Sequence, residues 1–195
     1  MPDYAPWTYD RFMSPLERLG LAGWRQQLLR SVESPVLEVG IGTGASLDWY
    51  NGGLLLVAVD REGAMARSAR ERAVALETPV AIVQMDAQYL AFHDEIFASV
   101  VTSLVFCSVS DPVEGLRQIR RVLRPGGRLY MLEHVRPNHP LLGPLADLLN
   151  IPWHAFSQEC NLNRRTSANV VAAGFRLESV EKLFFGAVNL MVARV

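Results

Sequence analysis

Residues 36 to 44 read VLEVGIGTG, an apolar run that ends in three alternating glycines. An apolar run of this kind suits a strand buried on both faces of a sheet. Glycines placed directly after it let the backbone turn tightly and let a ligand approach without meeting a Cβ atom. What approaches is left open by the turn alone, because Gly40, Gly42 and the later Ala45 also satisfy the relaxed fingerprint of a dinucleotide site.

From residue 35 onward apolar runs alternate with helical patterns, and no repeat, low-complexity tract or linker divides them. That alternation predicts parallel strands joined by helices in one domain spanning 1–195. The expected strands are 36–39, 54–60, 80–84, 99–105 and 128–134. Asp111-Pro112-Val113-Glu114 supplies an N-cap, a proline at the first helical position and a capping-box acid, followed by Val113, Leu116, Ile119 and Leu123 at helical spacing. Ser14-Pro15-Leu16-Glu17 repeats the start signal and predicts a helix of about four turns before the first strand. A further helix is expected from about Arg164 to a left-handed terminus at Gly174. The chain closes with RLESVEKLFFGAVNLMVARV, two β-rich runs meeting at Gly186-Ala187 and read as an antiparallel hairpin. The expected fold is therefore α/β: an open, mostly parallel, seven-stranded Rossmann-like sheet with helices on both faces and a C-terminal antiparallel hairpin.

A formal net charge of -1 over 195 residues argues against a nucleic-acid partner, which calls for a cationic surplus. Cys107 and Cys160 match neither a metal knuckle nor a secreted disulfide framework, so a reducing, cytoplasmic setting is expected. The N-terminus MPDYAPWTYD lacks the pattern of a signal peptide, and no apolar stretch is long enough to span a bilayer. His93, His139 and His154 have no ligand spacing with a fixed third partner, and no metal site is expected.

Several features separate the possible ligands. Glu38 lies inside the first apolar run, where an acid suits an ammonium group better than a pyrophosphate. Asp60 follows Gly40 by about 20 positions, as a ribose-binding acid should. A second acid, Asp86, ends the third run at the sheet edge where α/β folds bind ligands. The chain leaves no room for the substrate domain of most dehydrogenases. Taken in order, EVGIGTG, AVD, MDAQ, SLVFCSV, RVLRPGG and LEHV resemble the class I S-adenosylmethionine-dependent methyltransferases over about residues 35–135. Within these the chain is similar to the ubiquinone/menaquinone-biosynthesis-like and phospholipid N-methyltransferase group, which carries a stretch like Tyr9-Asp10-Arg11-Phe12. PWHAFSQECNLNRRT extends a resemblance to the methyltransferase-like thiol S-methyltransferases as far as about residue 175. Phe97-Ala98 departs from the Phe-Asp usual before the fourth strand.

The resemblance implies S-adenosylmethionine as cofactor. Gly40, Gly42 and Gly44 would line its methionine and ribose part, with Glu38 holding the amino group through water. Asp60, with Arg61 beside it, would chelate the ribose hydroxyls. Asp86 and the Ala87 amide would read the adenine edge, and Ser103 and Leu104 would lie beside the sulfonium. Residues 1–32 are expected to form a helical lid and 136–163 an acceptor-side insertion, with Tyr9, Phe106, Trp153 and Arg164 as candidate acceptor contacts. His134, ending the fifth run, and Asp86 are the candidate bases where the acceptor must lose a proton. The expected acceptor is a lipophilic small molecule or phospholipid amine, because 141–153, LLGPLADLLNIPW, is markedly apolar; a thiol is the alternative. A nicotinamide-dependent oxidoreductase and a non-catalytic nucleotide-binding module are the readings from other classes. Leucines at 141, 142, 145, 148 and 149 recur at helical spacing, pointing either to a peripheral membrane contact or to a helix packed on the sheet or in a dimer.

Overall fold

The computed structural model describes residues 6–157 and 160–195. The first five residues of the expected lid and residues 158 and 159 of the expected insertion lie outside them. The strands are β1 (Val36–Val39), β2 (Leu56–Asp60), β3 (Val80–Gln84), β4 (Phe97–Ser103), β5 (Leu123–His134), β6 (Arg176–Leu183) and β7 (Val188–Arg194). They form one sheet in the order β3-β2-β1-β4-β5-β7-β6. The first five run parallel, while β7 is antiparallel to both β5 and β6. The order reverses between β1 and β4, and a crevice opens at the carboxyl ends of strands at such a switch point. This is the fold class read from the sequence.

The near-continuous apolar runs are explained by two cores, one on each face. Leu37, Val39 and Val100 join one cluster, while Val36, Ala58 and Val101 join the other. Each fully buried valine or leucine among them contributes about 1.5–3 kcal/mol. Helix α4 (Pro112–Val122) covers the first face with Leu116, Ile119 and Val122, all fully buried. Its start is as the sequence predicts: Asp111 Oδ1 accepts from the Val113 and Glu114 amides at 3.1 and 3.0 Å. Leu28 and Leu29 of α2 (Ala22–Leu29) and Ala69 of α3 (Gly63–Ala75) cover the second face.

Three local expectations are corrected. The glycine turn after β1 leads into a short 3₁₀ turn, Leu47–Trp49, and not a full helix; the following Asn51-Gly52-Gly53 disfavours helix propagation. The N-terminal helix begins earlier than Ser14, as α1 (Pro6–Leu16), with Pro15 inside it. It passes through a π turn, Glu17–Leu21, kinked at Gly20 (φ 133°), before α2. Pro15 has no N–H to donate and Gly20 adopts a conformation closed to other residues, so one straight helix cannot form. Finally, α6 (Thr166–Ala172) starts after Arg164, while Gly174 (φ 90°) terminates it as expected.

Helix α5 (Leu142–Ser157) stands apart. Leu141, just before it, and Leu145, Leu148, Leu149 and Ile151 within it are all exposed. Its anchors are polar: Arg136 holds Asp147 bidentately, Nε to Oδ1 at 2.9 Å and Nη2 to Oδ2 at 2.7 Å, and the Leu162 amide donates to Asn150 Oδ1 at 2.7 Å. Phe12 of α1 meets Trp153 with ring centroids 6.4 Å apart.

Candidate active site

The glycines after β1 serve three different ends. A Cβ on Gly40 would stand 2.4 Å from Val105 Cγ2, so this position exists to let β4's exit loop pass. Gly42 (φ 57°) faces open space, with nothing within 4 Å of where a Cβ would be. Gly44 packs on Leu47 and on the backbone of Ala69 in α3. Gly40 and Gly42 line a cleft at the switch point; Gly44 does not, because its space is taken by helix packing.

At the end of β2, Asp60 is fixed by two backbone donors: the Gly42 amide to Oδ2 at 2.8 Å and the Glu62 amide to Oδ1 at 2.9 Å. Burial raises its carboxyl above the ordinary value, and these two hydrogen bonds oppose the rise. Arg61, Asp86, Ala87, Ser103 and Leu104 line the same cleft. Asp86 Oδ1 accepts from the Gln88 amide at 2.8 Å and from Gln88 Nε2 at 3.3 Å, a local turn that fixes the carboxylate.

Glu38 is buried at 1% exposure and does not line the cleft. Ser46 Oγ donates to it at 2.6–2.7 Å and Tyr50 OH at 3.0 Å. Burial pushes its carboxyl up to about 7 against those two donors. Its partners are thus direct side chains behind the glycine turn.

The sequence reading missed Glu133, fully buried in β5. Its carboxylate accepts from Thr102 Oγ1 at 2.9 Å, the Val105 amide at 3.2 Å and the Phe106 amide at 3.0 Å. Burial pushes it up to about 7 as well. These bonds hold the exit of β4 where Leu104 sits at φ 59°, a left-handed conformation that costs a leucine of order 1–3 kcal/mol. The same signal that singled out Glu38, an acid inside an apolar strand, marks Glu133.

The N-terminal helices fasten onto the cleft. Tyr9 lines it, Asp10 Oδ1 accepts from Thr43 Oγ1 at 2.6 Å inside the glycine turn, and Phe12 meets Trp153. Three of the four residues of Tyr9-Asp10-Arg11-Phe12 thereby acquire contacts. Arg25, 5% exposed, donates to Glu17 at 2.7 Å and to Ser103 Oγ at 3.4 Å. Burial, followed by the nearby Cys107 thiol, pushes the Tyr9 phenol up to about 12, although 37% of the residue remains exposed. The phenol is therefore a hydrogen-bond donor at neutral pH.

Other candidates lie elsewhere. Phe106 is fully buried in the core, since Glu133 draws its backbone inward. Arg164, a candidate acceptor contact, donates to the carbonyls of Val109 at 2.7 Å and Cys107 at 3.4 Å, a backbone staple. His134 ends β5 with Nδ1 buried and no hydrogen-bond partner for that atom among the described residues; burial lowers its pKa, so the ring is neutral at pH 7. It does not line the cleft.

A parallel sheet closed by an antiparallel pair, with a glycine turn after β1 clamped by an acid ending β2, is a Rossmann-like fold with a ligand cleft at its switch point. Residues 37–131 match the family described as methyltransferase domain. The chain is 36% identical over 113 residues to the phosphatidylethanolamine N-methyltransferase of Cereibacter sphaeroides, covering 57% of this chain and 54% of that protein. It is 33% identical over 146 residues to a thiol S-methyltransferase of Mus musculus, covering 72% and 59% respectively. The chain thus spans a little over half the length of these relatives. A SAM-dependent methyltransferase from Aquifex aeolicus shares the fold at a TM-score of 0.73 and 18% identity, over 99% of this chain and 100% of that one. Over residues 37–131 the chain is thus similar to the methyltransferase-domain family, and its fold is that of solved S-adenosylmethionine-dependent methyltransferases.

Proposed function

We propose that the chain transfers a methyl group from S-adenosylmethionine to a lipophilic small molecule or a phospholipid amine. Asp60 carries the reading. A carboxylate offers about four lone-pair sites; two hold the Gly42 and Glu62 amides, and the others suit a ribose diol. Gly42 gives the donor open backbone, Asp86 and Ala87 meet adenine, and Ser103 and Leu104 stand beside the sulfonium. Glu38 positions the turn through Ser46 and Tyr50. S-adenosylmethionine supplies an already activated methyl group, so the protein's task is alignment and exclusion of water. Alignment of two reactants accounts for about 7–11 kcal/mol of barrier in well-oriented systems. Tyr9, carried by α1, closes the cleft from the lid side. Where an acceptor must lose a proton, Asp86 is the base only in place of its adenine role, and His134, outside the cleft lining, serves only an acceptor that reaches the end of β5.

The test is calorimetry with S-adenosylhomocysteine and, separately, NADH, followed by methyl-transfer assays on phosphatidylethanolamine vesicles and on a small alkyl thiol. Heat with NADH and none with S-adenosylhomocysteine would overturn the assignment. The thiol reading has one observation of its own: the match to the mouse thiol S-methyltransferase extends over more of this chain than the match to the phosphatidylethanolamine enzyme. Turnover on the thiol alone would establish it.

The exposed leucines of α5 form the proposed lipid contact, joined by exposed Trp7 and Phe12 of α1. No helix among the described residues is long and apolar enough to cross a membrane. Contact is therefore interfacial, and weak, since one short helix buries little area. Wild-type protein is expected to float with liposomes, and Leu145→Asp/Leu149→Asp to remain in the lower fractions and to lose its preference for a lipidic over a water-soluble acceptor. Equal flotation of both would make α5 ordinary packing.

A further inference from the structure

The two cysteines that lie far apart in sequence meet in the fold. Cys107 follows the exit of β4, buried at 4%, between cleft-lining Val105 and Ser108. Cys160 belongs to the segment after α5 and is half-exposed. The backbone bond from the Asn161 amide to the Cys107 carbonyl sets the two residues side by side, close enough for each thiol to shift the other's titration. Their backbones are fastened at the same place: the Asn161 amide donates to the Cys107 carbonyl at 2.9 Å, Asn161 Nδ2 at 3.1 Å and Arg164 Nε at 3.4 Å. Both are free thiols.

We propose that Cys107 and Cys160 form a redox-modification site, closed to a disulfide by a hydroperoxide, that pins the acceptor-side segment to the donor cleft. The environment gives the two sulfurs different parts. The neighbouring Cys107 thiol draws Cys160 down to about 7, with Trp153 and the Arg164 charge helping and burial opposing. Its partner is pushed well above the ordinary thiol value, first by the Cys160 thiol and then by burial. Cys160 is thus the less buried of the two and the one whose thiol is shifted toward the thiolate, the form that attacks peroxides. Its sulfur attacks the O–O bond; an S–O bond forms as O–O breaks, and the leaving hydroxide or alkoxide takes a proton. The Cys107 sulfur then attacks the sulfenic sulfur, an S–S bond forms, and the displaced hydroxide leaves as water with the Cys107 proton. Two thiols lose two electrons and two protons in all, and the peroxide is reduced. A dithiol reductant reverses the step by exchange.

The hydrogen bonds already joining 160–164 to Cys107 yield to thermal motion, whereas a covalent bond does not. Locking the segment beside Val105 and Ser108 restricts entry of the acceptor and leaves Asp60 and the glycine turn untouched. This kinetic consequence rests on the methyl-transfer reading; the disulfide does not.

The experiment treats the full chain with hydrogen peroxide, blocks free thiols and maps peptides without reduction. A Cys107–Cys160 linked peptide and an intact mass lower by two hydrogen atoms are expected, both reversed by dithiothreitol. Acceptor turnover should fall severalfold on oxidation and recover on reduction, while S-adenosylhomocysteine affinity by calorimetry stays unchanged. In Cys107→Ser, Cys160 should stop at sulfenic acid or run on to sulfinic acid. Free thiols after treatment of folded protein, or sulfinic acid at Cys160 in wild type, would overturn the site. A disulfide with unchanged acceptor kinetics would overturn its control of the segment. Should Cys107→Ser not fold, the wild-type peptide map decides alone.

Discussion

Asp60→Ala is expected to weaken S-adenosylhomocysteine binding by about 1–3 kcal/mol for the ribose hydroxyls left without an acceptor, roughly fivefold to 150-fold in Kd. The effect should lie at the upper end of that range, because the substitution also removes the acceptor of the Gly42 and Glu62 amides and loosens the turn that the donor rests on. The pH dependence follows from the same carboxylate. Burial raises its pKa in the folded protein, and hydroxyl donors bind the ionised form. Donor affinity should therefore be full well above the carboxylate range and fall as pH drops through that raised value, and Asp60→Asn should lack the fall. Calorimetry across pH checks both. An unchanged Kd in Asp60→Ala would remove the donor site from this end of β2.

Those residues were readable because their chemistry is tied to strand ends. The runs around Val36, Leu56 and Val80 announce strands buried on both faces, and an acid or glycine just past such a run must stand at the sheet's carboxyl edge. Asp60, Asp86, Gly40 and Gly42 were expected at that edge on this logic, and all four line the cleft there. Gly44 and Phe106 follow the same runs yet belong to packing, since which side chain of a turn faces ligand depends on neighbours distant in sequence: Ala69 for one and Glu133 for the other. Asp10 and Arg25 were not legible for a related reason. Their partners, Thr43 and Ser103, become neighbours only once α1 and α2 lie over the sheet. The pairing of Cys107 with Cys160 was equally closed to a reading of spacing, because the loop after α5 returns to β4 without a local signal.

The largest loss of stability is expected from Glu133→Ala. The substitution leaves the Thr102 hydroxyl and the Val105 and Phe106 amides without their acceptor in the core, at about 1–3 kcal/mol for each buried group that finds no substitute. With the cavity added, a fall of roughly 3 kcal/mol or more in urea denaturation is expected. Leu104, held at φ 59° between these anchors, should relax, and donor affinity should fall with it, since Leu104 and Ser103 wall the cleft. Glu133→Gln keeps one oxygen acceptor and should cost less while removing the charge. That difference is visible in pH. Burial raises the Glu133 carboxyl from 4.5 to about 7 in the fold. Its contribution is fully present below 4.5, where folded and unfolded forms are both protonated, and is lost as pH rises through about 7, where the fold must bury a charge that the unfolded chain exposes to water. Glu38 has the same shift and the same sign. Wild-type stability should therefore decline between about pH 4.5 and 7 more steeply than that of Glu133→Gln, which retains the parts of Glu38 and Asp60. Parallel stability curves for the two, or a Glu133→Ala variant within about 1 kcal/mol of wild type, would mean that the Leu104 amide's bond to the Leu132 carbonyl, at 2.7 Å, holds the exit of β4 by itself.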